Sequence, residues 1–443
     1  MLDNKLQQHS PSFLIEDLID ADFVGKLCQP FLSRFIQPQD FGIGLVVEYI
    51  IPQMKLDIDK CNTRNFEKIP PIIRLIVDNF GEDGLRLIKK DIFTILFNTY
   101  LTTSAKNSTF VSNLYVEVLS SIPSKFRDET VMELIRVYCK ANDHRIRFLS
   151  ASFIPIVRDS KLTLPIFRTL VNDQIPSIRA KIVSNLPNYT FDENVIDYVL
   201  ISATKDSSIV VRQKASLLFG NVSPHLVDEF NKILQNEELT SYALASLPNV
   251  ARANSLTQVF NSFINAIEID PHNSAVALIE MAKNHPNDWK ELLVRSAKLL
   301  INYPPFAQNL GYFIDQFEDK SVLLDLYDPH EIPNWRSRIA VLRECTKHVN
   351  SLDSKLITLA EMFSEDSVAI VRNESIILWK IIIEKSPGCI SQAETLLMRG
   401  GWQKRLVLAK LVGALGKNVF HNTLKALEND PISIIRDTIR ELY

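Results

Sequence analysis

Residues Asp173 to Leu186 read DQIPSIRAKIVSNL: an acidic residue, a short turn, an apolar residue beside an arginine, then apolar positions at helical spacing. The phrase returns as DSSIVVRQKASLLF from Asp206 to Phe219, as DSVAIVRNESIILW from Asp366 to Trp379, and as DPISIIRDTIRELY from Asp430 to Tyr443. In all four the aspartate precedes the arginine by six positions. Looser copies are NDHRIRFLSASFI around Arg147, NWRSRIAVLREC around Arg338 and GWQKRLVLAKLV around Arg405. With arginine as zero, the register runs Arg147, Arg179, Arg212, Arg338, Arg372, Arg405 and Arg436, in steps of 31 to 34 residues broken by one gap of 126. That gap has room for about four more steps, and LTSYALASL (Leu239 to Leu247), HNSAVALIEMA (His272 to Ala282) and FAQNLGYFIDQF (Phe306 to Phe317) read as degraded copies within it. FVSNLYVEVLSSI (Phe110 to Ile122) fits one unit before Arg147.

The columns of this register have physical meaning. Seven positions after the arginine stand Ile154, Leu186, Phe219, Cys345, Trp379, Val412 and Tyr443, all residues that an inward helical position between stacked units accepts. One position before it stand Ile146, Ile178, Val211, Val371 and Ile435, with Ser337 and Lys404 as exceptions. The aspartate falls where the second helix of a pair begins, so its carboxylate can accept orphan backbone N–H groups there. The arginine can reach the aspartate of a neighbouring unit, making a ladder of charge-assisted hydrogen bonds. A period near 33 residues over this length predicts an all-α solenoid, an α-α superhelix of roughly twelve or thirteen helix pairs. The organisation expected is one array over 1–443: divergent repeats in 1–100, regular ones in 130–220, degenerate ones in 221–320, and regular ones again in 321–443.

Composition narrows function. The chain is 46% hydrophobic, which suffices for a large core, and its net charge of -3 gives no basic footprint for nucleic acid. No apolar run reaches the roughly 18 residues that span a bilayer, and the first ten residues, MLDNKLQQHS, are polar, so no membrane association is expected. Five cysteines, Cys28, Cys61, Cys139, Cys345 and Cys389, are widely spaced with no C-x-x-C, which argues for reduced thiols in cytoplasm or nucleus and against a zinc module. The eight histidines show no i, i+3 or i, i+4 pair, and no phosphate-loop, nucleophile-elbow or zinc-protease motif occurs. Asp40-Phe41-Gly42 matches a kinase tripeptide without its companion motifs. No enzyme, metal or cofactor is expected.

Two-helix units of this length, with Asp in the turn followed by Val-Arg or Ile-Arg, resemble HEAT repeats over at least residues 130–443. Within that family the chain is most similar to the scaffold (A, or 65-kDa regulatory) subunit of protein phosphatase 2A. NWRSRIAVLREC (Asn334 to Cys345) matches a W-R-x-R-x-A second helix of that subunit, and GWQKRLVLAKLVGAL and DPISIIRDTIREL follow in the family's order. The HEAT-type regulatory subunit of phosphatase 4 is a close variant. The resemblance implies a non-catalytic scaffold that grips a phosphatase catalytic subunit through C-terminal turns and a regulatory subunit through N-terminal ones. It also implies that the Trp335-Arg336 pair contacts the catalytic subunit.

The binding residues are sought in the least uniform column, three before the arginine: His144, Pro176, Ile209, Trp335, Ala369, Trp402 and Ser433. A column that varies so widely is expected to face outward, and tryptophan and arginine are enriched at interface hot spots. The candidates for the first partner are Asn334, Trp335, Arg336, Trp402 and Gln403. Those for the second are His144, Arg145, Gln174, Ser207 and Ser208. The competing reading is another HEAT adaptor, such as a nuclear-transport or vesicle-coat scaffold. It is expected to show an acidic inner surface or acidic loop, and no acidic run occurs here.

Overall fold

A computed structural model describes residues 46–284, 287–326, 332–349 and 355–442. The kinase-like tripeptide at 40–42, Cys28 and Tyr443 lie outside the described residues. The chain divides into two compact units, residues 1–214 and 215–443, with the division inside the helix Ile209–Val222. Described residues are helical or in turns, with no strand among them. The fold class is the one the register predicts: all-α, built of HEAT-type helix pairs.

In the first unit, Ser124–Tyr138 pairs with His144–Phe153, Ser160–Leu170 with Pro176–Ser184, and Glu193–Thr204 precedes the helix of Arg212. Successive second helices also pack on each other: Ala105–Ser121 on His144–Phe153, and that helix on Pro176–Ser184. In the second unit, Trp335–Lys347, Ala369–Lys385, Trp402–Leu415 and Ser433–Arg440 stack in the same way, each covered by the first helix that precedes it. The column seven after the arginine is the seam of this stacking: Ile154, Leu186, Phe219, Cys345, Trp379 and Val412 are all at most 2% exposed. One before the arginine, Ile178, Val211, Val371 and Ile435 are buried, as is the exceptional Ser337, while Ile146 is half-buried. Lys404, the other exception, points back to Glu361 and Glu365 at 3.1 Å each. The three degraded copies are second helices too, within Thr240–Asn254, Pro271–Asn284 and the broken helix of Pro304–Gln308 and Leu310–Ile314.

The expected ladder is present and has more parts than the sequence suggests. Arg147 grips Asp173, Arg179 grips Asp206, Arg338 grips Asp366 and Arg405 grips Asp430, each with Nε on one carboxylate oxygen (2.6–2.8 Å) and Nη2 on the other. The partners are 25 to 28 residues apart, one repeat onward. The remaining guanidinium nitrogen, Nη1, donates to the backbone of the arginine's own turn. Arg179 reaches the carbonyls of Asp173 and Gln174, Arg212 those of Asp206 and Ser207, and Arg372 those of Asp366 and Ser367. One side chain therefore locks its own turn and ties it to the next. The aspartate does not cap the helix directly, as expected from sequence. It lies two residues before the N-cap, and its Oδ1 accepts the N–H of that cap residue: Ile175, Ser208, Val368 and Ile432. It thus shapes the turn that leads into the helix. Two of the three looser copies are capped in the expected way, by Asp143 and Asn334, and the third starts at Gly401 with no side-chain cap. In the degraded region a weaker rung survives, with Ser241 donating to Asp270 at 2.5 Å across 29 residues.

The described residues before 100 follow no clear register because their helices are irregular. Ile69–Ile88 is broken at Gly81, whose φ of 55° turns the chain out of one helix and into the next. The stretch GLRLIKKDIFTILF is helical but passes through a π segment at Lys89–Phe93.

Two expectations follow. The hydrogen bonds from Arg179 hold the Asp206 carboxyl below its ordinary value, more than offsetting burial, which would raise it. A carboxyl depressed in the folded state contributes stability that is full above its unfolded value of about 3.9 and lost as pH falls through the folded value. Asp206→Asn should therefore cost roughly 2 kcal/mol at pH 7 in urea unfolding, with the difference from wild type shrinking below about pH 4. Separately, a Cβ at Gly220 would lie 2.3 Å from the Ser246 carbonyl, where the second helices are in close contact, whereas one at Gly388 would meet nothing within 4 Å. Gly220→Ala should destabilise by about 1–3 kcal/mol and Gly388→Ala should not, by the same measurement.

Candidate functional site: the turn ridge

In the seven units of the arginine register, the second helix starts at the end of a turn held by its arginine, so the first-turn side chains are presented on rigid backbone. The column three before the arginine lies outward. His144, Pro176, Ala369, Trp402 and Ser433 are exposed, and Ile209 and Trp335 are half-buried. The next position is exposed as well, with Val210, Ile370 and Ile434 each about half exposed despite being apolar. These three did not stand out in the sequence, because an apolar residue beside an apolar buried column reads as core.

The second-unit candidates separate by role. Asn334 is the N-cap of Trp335–Lys347, its Oδ1 accepting the Arg336 N–H at 3.0 Å, so its side chain is committed to the helix end. Arg336 is exposed, and its guanidinium lies 4.8 Å over the half-buried Trp335 ring. Trp402 is 40% exposed, yet its ring also covers the guanidinium of Arg372 at 5.5 Å. The reason is local. Where the register asks for an aspartate, six before Arg405, the chain has Arg399, and the indole serves Arg372 in place of a carboxylate. Gln403 beside it is half-buried.

In the first unit, Gln174, Ser207 and Ser208 belong to ladder turns. The carbonyls of Gln174 and Ser207 accept from Arg179 and Arg212, and the N–H of Ser208 donates to Asp206. The Gln174 and Ser207 side chains are exposed. His144 and Arg145 enter a groove of about 290 Å³. Arg145 is fixed there by Asp143 at 2.7 Å and by the Leu101 carbonyl at 2.9 Å, and the side-chain and backbone hydrogen bonds from Arg145 keep the Asp143 carboxyl below its ordinary range. Tyr100, also lining it, donates to the Arg145 carbonyl, and burial pushes its hydroxyl up to about 12. Lys181 closes one side, its ammonium 5.8 Å from the Phe148 ring and pushed below the usual lysine range by burial. Lys181 escaped the sequence reading because it lies inside a helix rather than in a turn.

Among the described residues no cluster of three His, Cys, Asp or Glu side chains could hold a metal, and no helix is long and apolar enough to cross a membrane. Burial raises the thiols of Cys139 and Cys345, the latter to about 12.

No family model matches this sequence, and no curated protein does. Solved structures match over nearly the whole chain. Yeast importin-beta (Kap95p) aligns with 99% of this chain and 73% of its own at 11% identity and TM-score 0.45. Kap121p aligns with all of this chain and 56% of its own at 11% identity and TM-score 0.46. A chain of the full-length AP-3 complex in an intermediate open conformation aligns with all of this chain and 88% of its own at 12% identity and TM-score 0.34. The assignment to HEAT-type helical repeats rests on the helix pairs, buried seam and rungs of the chain itself.

The roles of Asn334 and Arg336 can be told apart by stability. Asn334→Ala should cost about 1 kcal/mol through the lost cap. Arg336→Ala should stay within about 0.5 kcal/mol, as expected of an exposed side chain. Trp402→Ala should cost more than Arg336→Ala because it uncovers Arg372. Urea midpoints of the three variants check this order.

Proposed function

We propose that the chain is a non-catalytic scaffold that binds other proteins along the ridge of its turns. The observation that carries this reading is the contrast between columns of one register. Positions one before and seven after the arginine are mostly buried and mostly apolar, whereas the position three before is exposed or half-buried and carries six residue types in seven units. Rigid turns bearing variable outward side chains suit recognition, since little order has to be gained on binding.

For the particular partner, the sequence resemblance supports a Ser/Thr phosphatase catalytic subunit, held by Trp335 and Arg336 with Trp402 and Gln403 beside them. A regulatory subunit would use His144, Arg145, Gln174, Ser207 and Ser208. Asn334 contributes by fixing the helix end that presents Trp335. The other reading is a transport or coat adaptor. The solved structures reported above are of that kind, a transport receptor described with RanGDP and with Nup1, and a chain of the AP-3 complex. A cytoplasmic or nuclear location goes with either reading.

Affinity capture from a cell extract, followed by a Ser/Thr phosphatase assay and identification of the retained chains, separates the two. The phosphatase reading expects a phosphatase catalytic chain in the captured fraction, reduced at least about tenfold by Trp335→Ala with Arg336→Ala while the unfolding midpoint is unchanged. Recovery of a small GTPase or of coat subunits instead, insensitive to the double substitution, would contradict it and support the adaptor.

A further inference from the structure

The groove on the first unit crosses three successive second helices. Ser108, Thr109, Ser112 and Asn113 come from Ala105–Ser121, His144, Arg145 and Phe148 from His144–Phe153, and Ser177 and Lys181 from Pro176–Ser184; Tyr100 closes one end. None of the described lining residues carries a carboxylate. Asp143, next in sequence to the lining residue His144, accepts from the Arg145 side chain and from the Arg145 backbone N–H.

Its charges are unequally satisfied. The Arg145 guanidinium is neutralised by Asp143 and spends Nη1 on the Leu101 carbonyl. Lys181 has an aromatic ring beside it and no carboxylate among its described contacts. A cation partly withdrawn from water without a counter-charge is unfavourable, and an anion delivered to it recovers that loss. The other groups suit the same ligand. Asn113 and Ser177 can donate, and the first turns of the His144 and Pro176 helices carry the positive end of the helix dipole. Phe148 offers an apolar wall. With one unsatisfied cation in about 290 Å³, the groove fits a single acidic side chain and its flanking backbone. It does not fit a nucleic acid backbone, which needs a track of cations.

We propose that this groove binds an acidic peptide segment of a partner protein, with the carboxylate of one Asp or Glu side chain paired to Lys181 and the flanking backbone set against Phe148, Asn113 and Ser177. The inference rests on the scaffold reading and gives the chemistry of one of its ligands.

Fluorescence polarisation of the full chain with a fluorescein-labelled Glu-rich peptide tests it, using the same peptide with Gln for Glu as the neutral control. Lys181→Met keeps the aliphatic stem over Phe148 and removes the charge, Lys181→Arg restores the charge, and Lys60→Met removes an exposed charge elsewhere. The expected result is saturable binding of the acidic peptide only. It should weaken about tenfold in Lys181→Met at an unchanged melting temperature, recover in Lys181→Arg, and be unaffected by Lys60→Met. Equal affinity for the neutral peptide, no effect of Lys181→Met, or no saturable binding by wild type would overturn the proposal. Displacement of the peptide by inorganic phosphate at equal concentration would also overturn it, since the groove would then be a small-anion site. Trp335→Ala with Arg336→Ala should leave peptide binding intact. Peptide binding that persists when the capture experiment fails therefore supports the groove and refutes only the C-terminal site.

Discussion

A helix of ten or fifteen residues with apolar side chains on two sides cannot bury both against a single partner. Everything else in this chain follows from how that constraint is met. Within each unit, second helices pack on their own first helices and on neighbouring second helices, and the column seven past the arginine fills the seam. Apolar burial of this kind supplies most of the stability of such arrays. It is poor at fixing direction, because greasy surfaces slide. The guanidinium rungs provide the direction. A bidentate arginine has one orientation relative to its carboxylate, and its third nitrogen fixes it relative to its own turn.

That division of labour explains which features could be read from residues alone. The second helices, their inward column and the arginine-to-aspartate ladder were legible because each depends on residue type at fixed spacing, repeated often enough to exceed chance. The exact use of the aspartate was not. Whether a carboxylate caps a helix or shapes the turn two residues earlier depends on backbone angles that the letters Asp, Ser and Val do not specify. The π segment after Ile88 and the break at Gly81 were hidden for the same reason, and they are why the register fades toward the N-terminal side.

The candidate site was half legible. Variation in the column three before the arginine marked an outward ridge, and the structure puts those side chains at the surface. What variation could not tell is how many are also employed within the fold. Asn334 caps a helix, Trp402 shields Arg372 where a carboxylate is missing, and Arg145 ties its unit to Leu101. Of the second-unit candidates, Arg336 is exposed and rests its guanidinium on the half-buried Trp335 ring. Lys181 shows the opposite failure: an unremarkable lysine in sequence, it acquires meaning only because Phe148, one repeat earlier, and Asn113, one further back, meet it across three helices.

Neighbouring repeats are coupled through the rungs, and a double-mutant cycle at Arg179 and Asp206 measures that coupling most directly. With Arg179→Leu, Asp206→Leu and the pair, each unfolded in urea at pH 7, the single changes should exceed additivity, giving an interaction energy of about 1–3 kcal/mol. Effects that simply add, within about 0.5 kcal/mol, would mean that the two side chains are neighbours without energetic consequence, and the rung would lose its place as the element that orients one repeat on the next.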